Sequence, residues 1–182
     1  MSADTRATHA NGAAAITAII EARGRAVRAG DLDGMMAHVA EDVVIFDVVE
    51  PLFQSGKAAS HARAGDWLAS YDGPIEWEHR DLRVAVDRSV AFSHSLSHVR
   101  GRLKSGAQVD MWFRTTLGFR LLDGEWRITH DHGSVPIEPS SGKGSLALQP
   151  PAHDAQPGSG EAKPIDDMQV PPLTDLDDTL GG

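Results

Sequence analysis

Four long β-prone runs follow one another between Ile75 and Val135. They are Ile75–Val86, Val90–Leu103, Gln108–Leu122 and Trp126–Val135, the first three followed by the turn signals Asp87-Arg88, Lys104-Ser105-Gly106 and Asp123-Gly124. Turns this short leave no room for a crossover helix, so successive strands must pair antiparallel as a meander. The preceding chain reads mainly as helix. Over Ala13–Ala29, Ile16, Ile19, Ile20 and Val27 fall on one face at helical spacing, and Gly30 supplies a stop. Asp31 caps a second helix, Leu32–Ala40, and the β-branched run Val43–Val48 is a first strand. A third helix, Lys57–Tyr71, follows a loop broken by Pro51. Helices first and strands afterwards is the order of an α+β domain. The expected architecture is a cone-shaped α+β barrel, with three N-terminal helices in the concave face of a strongly curved, mainly antiparallel sheet.

All ten aromatic residues lie between Phe46 and Trp126, and aromatics dominate core burial, so the folded body is expected over residues 13–138. Residues 1–12 are expected to be a disordered N-terminus. Residues 139–182 carry seven of the ten prolines and a net charge of -5 with no aromatic, the composition of a disordered tail. The chain as a whole carries -9, which repels phosphate backbones and argues against nucleic acid as a partner. No apolar run approaches the roughly 20 residues of a membrane span, and the leading residues lack the apolar core of a signal peptide. The absence of cysteine excludes disulfides, thiolate metal sites and a cysteine nucleophile, and fits a cytoplasmic location.

Four stretches in order carry a family resemblance: Ala29-Gly30-Asp31-Leu32 with Glu41-Asp42-Val43; Phe46-Asp47 with Pro51-Leu52 and Gly56; Asp110 to Thr116; and Asp123-Gly124-Glu125-Trp126-Arg127-Ile128 running into His130, His132 and Pro136. With them, the chain resembles the SnoaL-like and ketosteroid-isomerase-like branch of the nuclear-transport-factor-2-like superfamily over Ala13 to Pro136. The resemblance implies a conical pocket for a small organic molecule. It leaves the activity open, because isomerases, cyclases, hydrolases, dehydratases and non-catalytic binding modules share this scaffold.

Asp47 is the first catalytic candidate. It ends an apolar strand, where desolvation raises a carboxylate's pKa and makes it a usable base. Ketosteroid isomerases hold their proton-shuttling aspartate sixteen positions after the aspartate that opens the second helix, the spacing of Asp31 to Asp47. Their first-helix tyrosine is replaced here by Arg23, and their second carboxyl by Arg114 to Thr116, so the resemblance does not extend to steroid isomerisation. An arginine favours an anionic group, which its fork can pair in bidentate fashion. Asp110, Trp112 and Arg114 alternate on one strand face, where Asp110 and Arg114 form either an ion pair or part of a site with Trp112 as a wall. His130 and His132 share another face. No spacing of further ligands completes a metal site with them, or with His94 and His98, so neither metal nor cofactor is expected.

The expected function is cofactor-free acid–base catalysis on a small organic molecule. Asp47 is the proton acceptor, Arg114 and His132 hold an anionic or carbonyl group, and Trp112, Asp110, His130, His94, Trp77 and Thr116 line the substrate. The alternative is a non-catalytic ligand-binding or dimerisation module. The final hairpin decides whether these groups meet. A two-residue Asp123-Gly124 turn sets Thr115 opposite His132. A three-residue Leu122-Asp123-Gly124 turn sets Arg114 opposite His132 and Thr116 opposite His130, and the second register is the expected one. It leaves Met111, Phe113, Leu117 and Phe119 on the outer sheet face, to be covered in a homodimer.

Overall fold

The computed structural model describes residues 3–151. The first helix, α1, runs Ala3–Ala29 and so begins ten residues ahead of its expected start. It ends in a Schellman motif. Gly30 takes a φ of +66, its N–H bonds Val27 O at 3.1 Å, and the Asp31 N–H bonds Ala26 O at 2.9 Å. Asp31 then caps α2 (Leu32–Met36) by accepting from the Gly34 N–H at 3.0 Å. A Cβ at Gly34 would lie 2.3 Å from the Asp31 carboxylate, so the tight cap needs glycine there. The helix is shorter than expected because β1 (Val39–Phe46) starts early, on buried Val39 and Ala40. β2 (Gln54–Ser55) and α3 (Lys57–Ala69) follow.

The meander is β3 (Glu76–Asp87), β4 (Val90–Arg102), β5 (Gln108–Leu122) and β6 (Glu125–Ser134). The sheet order is β2-β1-β6-β5-β4-β3, with β1 parallel to β6 and every other pair antiparallel. The six-stranded mixed sheet is therefore open, not a closed barrel. Besides a register shift between Val39 and Val44 where β1 runs along β6, two β-bulges interrupt it. One adds a residue to β3 between Arg80 and Arg83, where Asp81 takes a φ of 56. The other adds Thr129 to β6, between the pairs Phe119–Ile128 and Gly118–His130. Bulges bend a strand and increase its twist, which suits a sheet that curves over α1.

The concave face holds two apolar clusters. Ile16, Ile19 and Ile20 of α1 pack on Leu117, Phe119 and Ile128. Further along, Ala26, Val27, Met35, Met36, Val39, Val43, Tyr71, Ile75 and Val99 form the second cluster. This reverses the expected faces of β5. Leu117 and Phe119 are buried against α1, and Met111 and Phe113 pack on the second cluster, so none of the four is on the outside. Beyond β6 the chain folds back. The Glu138 N–H donates to Lys143 O at 2.8 Å and the Ser145 N–H to Pro136 O at 2.7 Å, so hydrogen bonds join residues on the two sides of the expected boundary at 138. The rest of the expected tail, residues 152–182, lies outside the described residues.

Candidate functional site

Between the two apolar clusters, α1 and the four strands of the meander present polar groups inward. α1 gives Arg23, β3 gives His79, β4 gives Ser97, β5 gives Thr115 and β6 gives Asp131. Arg23 Nη2 lies 2.7 Å from Asp131 Oδ2, with side-chain exposures of 24% and 15%. The indole N–H of Trp77 donates to His79 Nε2 at 3.0 Å. His79 Nδ1 lies 3.0 Å from Ser97 Oγ, which lies 2.7 Å from Thr115 Oγ1. The helix packs over this chain at Gly24, where a Cβ would lie in ordinary contact with Trp77 at 3.4 Å and His79 at 3.7 Å. Burial, and then the charges of Arg23 and Arg28, lower the His79 pKa to about 4 against the opposing pull of Asp131, so its ring is neutral at pH 7.

Asp47 follows β1. One carboxylate oxygen accepts from the Val48 N–H at 2.7 Å and the other from Arg63 of α3, at 3.2 and 3.3 Å. Its side chain is 39% exposed, so it is an ion-paired group at the rim and not the desolvated carboxylate expected from its strand. Asp47 and His132 line one groove of about 660 Å³, with Phe46, Leu52, Phe53, Val135 and Ile137 among its walls. Phe46 meets His130 and His132 edge-on, with centroids 4.9 and 5.9 Å apart. His130 Nδ1 lies 3.0 Å from Val44 O. A second depression, of about 480 Å³, opens between α1 and α3 beside Arg28 and Pro74.

The final hairpin adopts neither expected register. Its turn is the two-residue Asp123-Gly124, both at positive φ, with Leu122 opposite Glu125. The Thr129 bulge then shifts the phase, so that Thr116 faces His132, Gly118 faces His130 and Arg114 faces Ser134. Arg114 and His132 share the convex face, one pair apart, and Arg114 does not line the groove. The other outer residues have their own partners. Trp112 stacks on His98 at 4.5 Å with rings 5° from parallel, and Arg80 Cζ lies over the Trp112 ring, 5.7 Å from its centroid. Asp110 bonds His98 Nε2 at 2.8 Å, so its partner is His98 and not Arg114. His94 stacks on Phe92 and faces Thr116. Trp77 stands alone among the expected lining residues in facing inward. Asp110, Trp112, Arg114, Thr116, His94, His130 and His132 therefore belong to the convex side, and the sheet separates them from Trp77.

The inward polar groups escaped the sequence reading, apart from Arg23, which was noticed only as a replacement. One signal was available. Ser93, Ser95 and Ser97 alternate in phase with Ala91 and Val99, marking a polar stretch on a face that is apolar at both ends. Nothing comparable marks His79 or Asp131.

The family model for the SnoaL-like domain matches residues 16–138. Among solved structures, an NTF2-like protein of unknown function from Pseudomonas putida KT2440 is 29% identical, with a TM-score of 0.71, over 78% of this chain and 98% of that one. A ketosteroid isomerase-like protein from Erwinia carotovora atroseptica SCRI1043 is 18% identical, with a TM-score of 0.58, over 67% and 94%. A protein with a cystatin-like fold from Caulobacter vibrioides is 19% identical, with a TM-score of 0.61, over 68% and 89%. The last two show likeness of fold alone. No curated protein matches the sequence.

Proposed function

The chain belongs to the SnoaL-like domain family, and we propose that it is a cofactor-free acid–base enzyme acting on a small organic molecule. The observation that carries this reading is the groove shared by Asp47 and His132. Its volume suits a small ligand, its walls are mainly apolar, and it brings a carboxylate and an imidazole to one place. Asp47 accepts the proton while Arg63 holds its carboxylate in position. His132 offers a hydrogen bond to an oxygen of the ligand. Arg114 lies outside the groove lining and has no part in this site.

The test needs no prior substrate. A panel of small ketones and carboxylates is incubated with the protein in D₂O, and loss of C–H signal beside the carbonyl is followed by NMR. The wild type exchanges at least one member. Asp47→Asn lowers that rate about 100-fold or more, the scale of a lost general base. Undiminished exchange in Asp47→Asn removes Asp47 from the mechanism.

A second reading makes Asp131 the proton acceptor. The Arg23–Asp131 pair favours it, because a partly buried ion pair between two apolar clusters loses hydration that its mutual attraction need not repay. In that case Asp131→Asn takes the loss and Asp47→Asn does not. Binding of a panel member with no exchange at all points instead to a ligand-binding module. We also propose that a second copy covers the part of the convex face away from the groove, which exposes Val90 and Phe92. Light scattering on the eluting protein checks this, and a dimer should become a monomer in Phe92→Glu.

A further inference from the structure

We infer that residues 50–53 are a lid that closes over the groove when a small molecule enters it, with Leu52 and Phe53 coming down on the ligand. The inference rests on the reading above that this groove takes a small molecule, and adds how access to it is controlled. Two stretches of chain line the groove, 46–53 and 132–144. In the first, Leu52 is 92% exposed and Phe53 58% exposed. Large apolar side chains at the edge of a mainly apolar groove gain little while they face water. Folded onto a ligand, both lose that contact with water and hold the ligand in place.

The hydrogen bonds of the segment separate its fixed part from its movable one. At one end, Arg63 Nη2 donates both to Asp47 Oδ2 at 3.2 Å and to Val49 O at 3.3 Å. At the other end, Gln54 pairs with Ile45 in the sheet, and its Nε2 donates to Ala59 O at 3.0 Å. Between these anchors, Glu50, Pro51, Leu52 and Phe53 make no hydrogen bond to any described residue. A four-residue tip with exposed side chains and no such bonds sits at the low end of local stability and opens and closes at little cost. Because Val49 is clipped to Arg63, the hinge lies beyond it. The tip therefore swings while Asp47 stays on the same guanidinium, and closure keeps water away from the groove without displacing the carboxylate.

The chain contains no cysteine, so Leu52→Cys puts a single thiol on the tip. Its alkylation by iodoacetamide is timed in the full chain, with and without N-phenyl-1-naphthylamine, a neutral apolar dye that brightens on leaving water. Ser105→Cys, in the exposed turn after β4, is the control. Without dye the two thiols should react at similar rates. Saturating dye should slow Leu52→Cys about tenfold or more and change Ser105→Cys by less than about twofold, since alkylation proceeds through the open lid. Leu52→Ser should bind the dye about tenfold more weakly at an unchanged urea midpoint, because so exposed a side chain adds little to the open fold. An unchanged Leu52→Cys rate with dye bound overturns the lid, as does equal dye affinity in Leu52→Ser. So does a Leu52→Cys thiol already shielded without dye, which would place the tip under a second copy. The groove reading fails in a different way: the dye stays dark, or Phe46→Ser binds it as tightly as wild type, and the lid falls with it. Protection of the thiol with no deuterium exchange leaves the lid standing and sinks only the acid–base reading.

Discussion

On the concave face, His79 gives both ring nitrogens to interior neighbours, Trp77 and Ser97. On the convex face, His98 lies flat against Trp112, with Asp110 at 2.8 Å and Glu78 at 3.5 Å. The two histidines lie on neighbouring strands. The difference teaches what each face of a sheet asks of a polar side chain. Inside, every donor must find an acceptor, so the imidazole becomes a joint of fixed direction in a chain that can run only one way. Outside, water can replace any lost partner, and the same ring serves as a surface for stacking and for contacts that cost little to break.

The comparison is broken most severely by removing one aromatic from each face. Phe119→Ala empties a position that is 2% exposed and should cost about 3–5 kcal/mol in urea unfolding. Phe92→Ala, at 51% exposure on the other face, should cost no more than about 0.5 kcal/mol in the monomer. Similar losses would mean that the convex face is covered.

Acid provides the next largest effect. The folded His79 value of about 4 lies below the ordinary 6.5, so between those values the unfolded chain binds a proton that the folded chain refuses. Stability is therefore full above about pH 7 and falls as pH drops toward 4, by at most about 3 kcal/mol from this group. Urea midpoints measured across that window should slope less in His79→Gln than in wild type. Parallel slopes would show that His79 is not held neutral by its surroundings.

The smallest effect is expected where the convex histidine meets its carboxylate. Asp110→Asn keeps a hydrogen-bond acceptor and alters a side chain that is 58% exposed, so the unfolding free energy should change by less than about 1 kcal/mol. A larger change would place His98 and Asp110 in a buried interface.

The order of elements was legible in the sequence because local chemistry determines it. Gly30 and Asp31 end one helix and begin the next, and the β-branched runs between short turns gave β5 its ends at Gln108 and Leu122. The faces were not legible, for a physical reason. Asp-Gly favours the two-residue turn that forms, but the turn alone does not tell whether a bulge further along the hairpin shifts the phase. The apolar residues of β5 occupy both phases, with Trp112 among the even positions and Phe113, Leu117 and Phe119 among the odd. Tying Trp126 and Ile128 to His130 and His132 by simple alternation then turned β5 inside out. Only the extra residue at Thr129 breaks that tie, and its own sequence does not announce it. The candidate site was legible in part. Asp47 and His132 do line one groove, but Arg114 stays outside it. The interior groups Arg23 and Asp131 meet only because helix and sheet fold over each other, which no local pattern encodes.

Thr129 also changes what a single strand can be asked to do. In a regular strand, alternate positions share one fate: a change that improves the core at Ile128 constrains the residues two and four places on. Here the even positions of β6 are interior before the bulge and exterior after it, so Trp126 and Ile128 answer to packing while His130 and His132 answer to solvent and whatever binds there. Were Thr129 to pair as an ordinary strand residue instead of bulging out, the effect would be a frameshift in space. The facing of every side chain from His130 onward would invert, carrying the two histidines into the interior and Asp131 away from Arg23, whereas deleting Thr129 would make Ile128–Phe119 and His130–Gly118 successive pairs and leave those faces as they are.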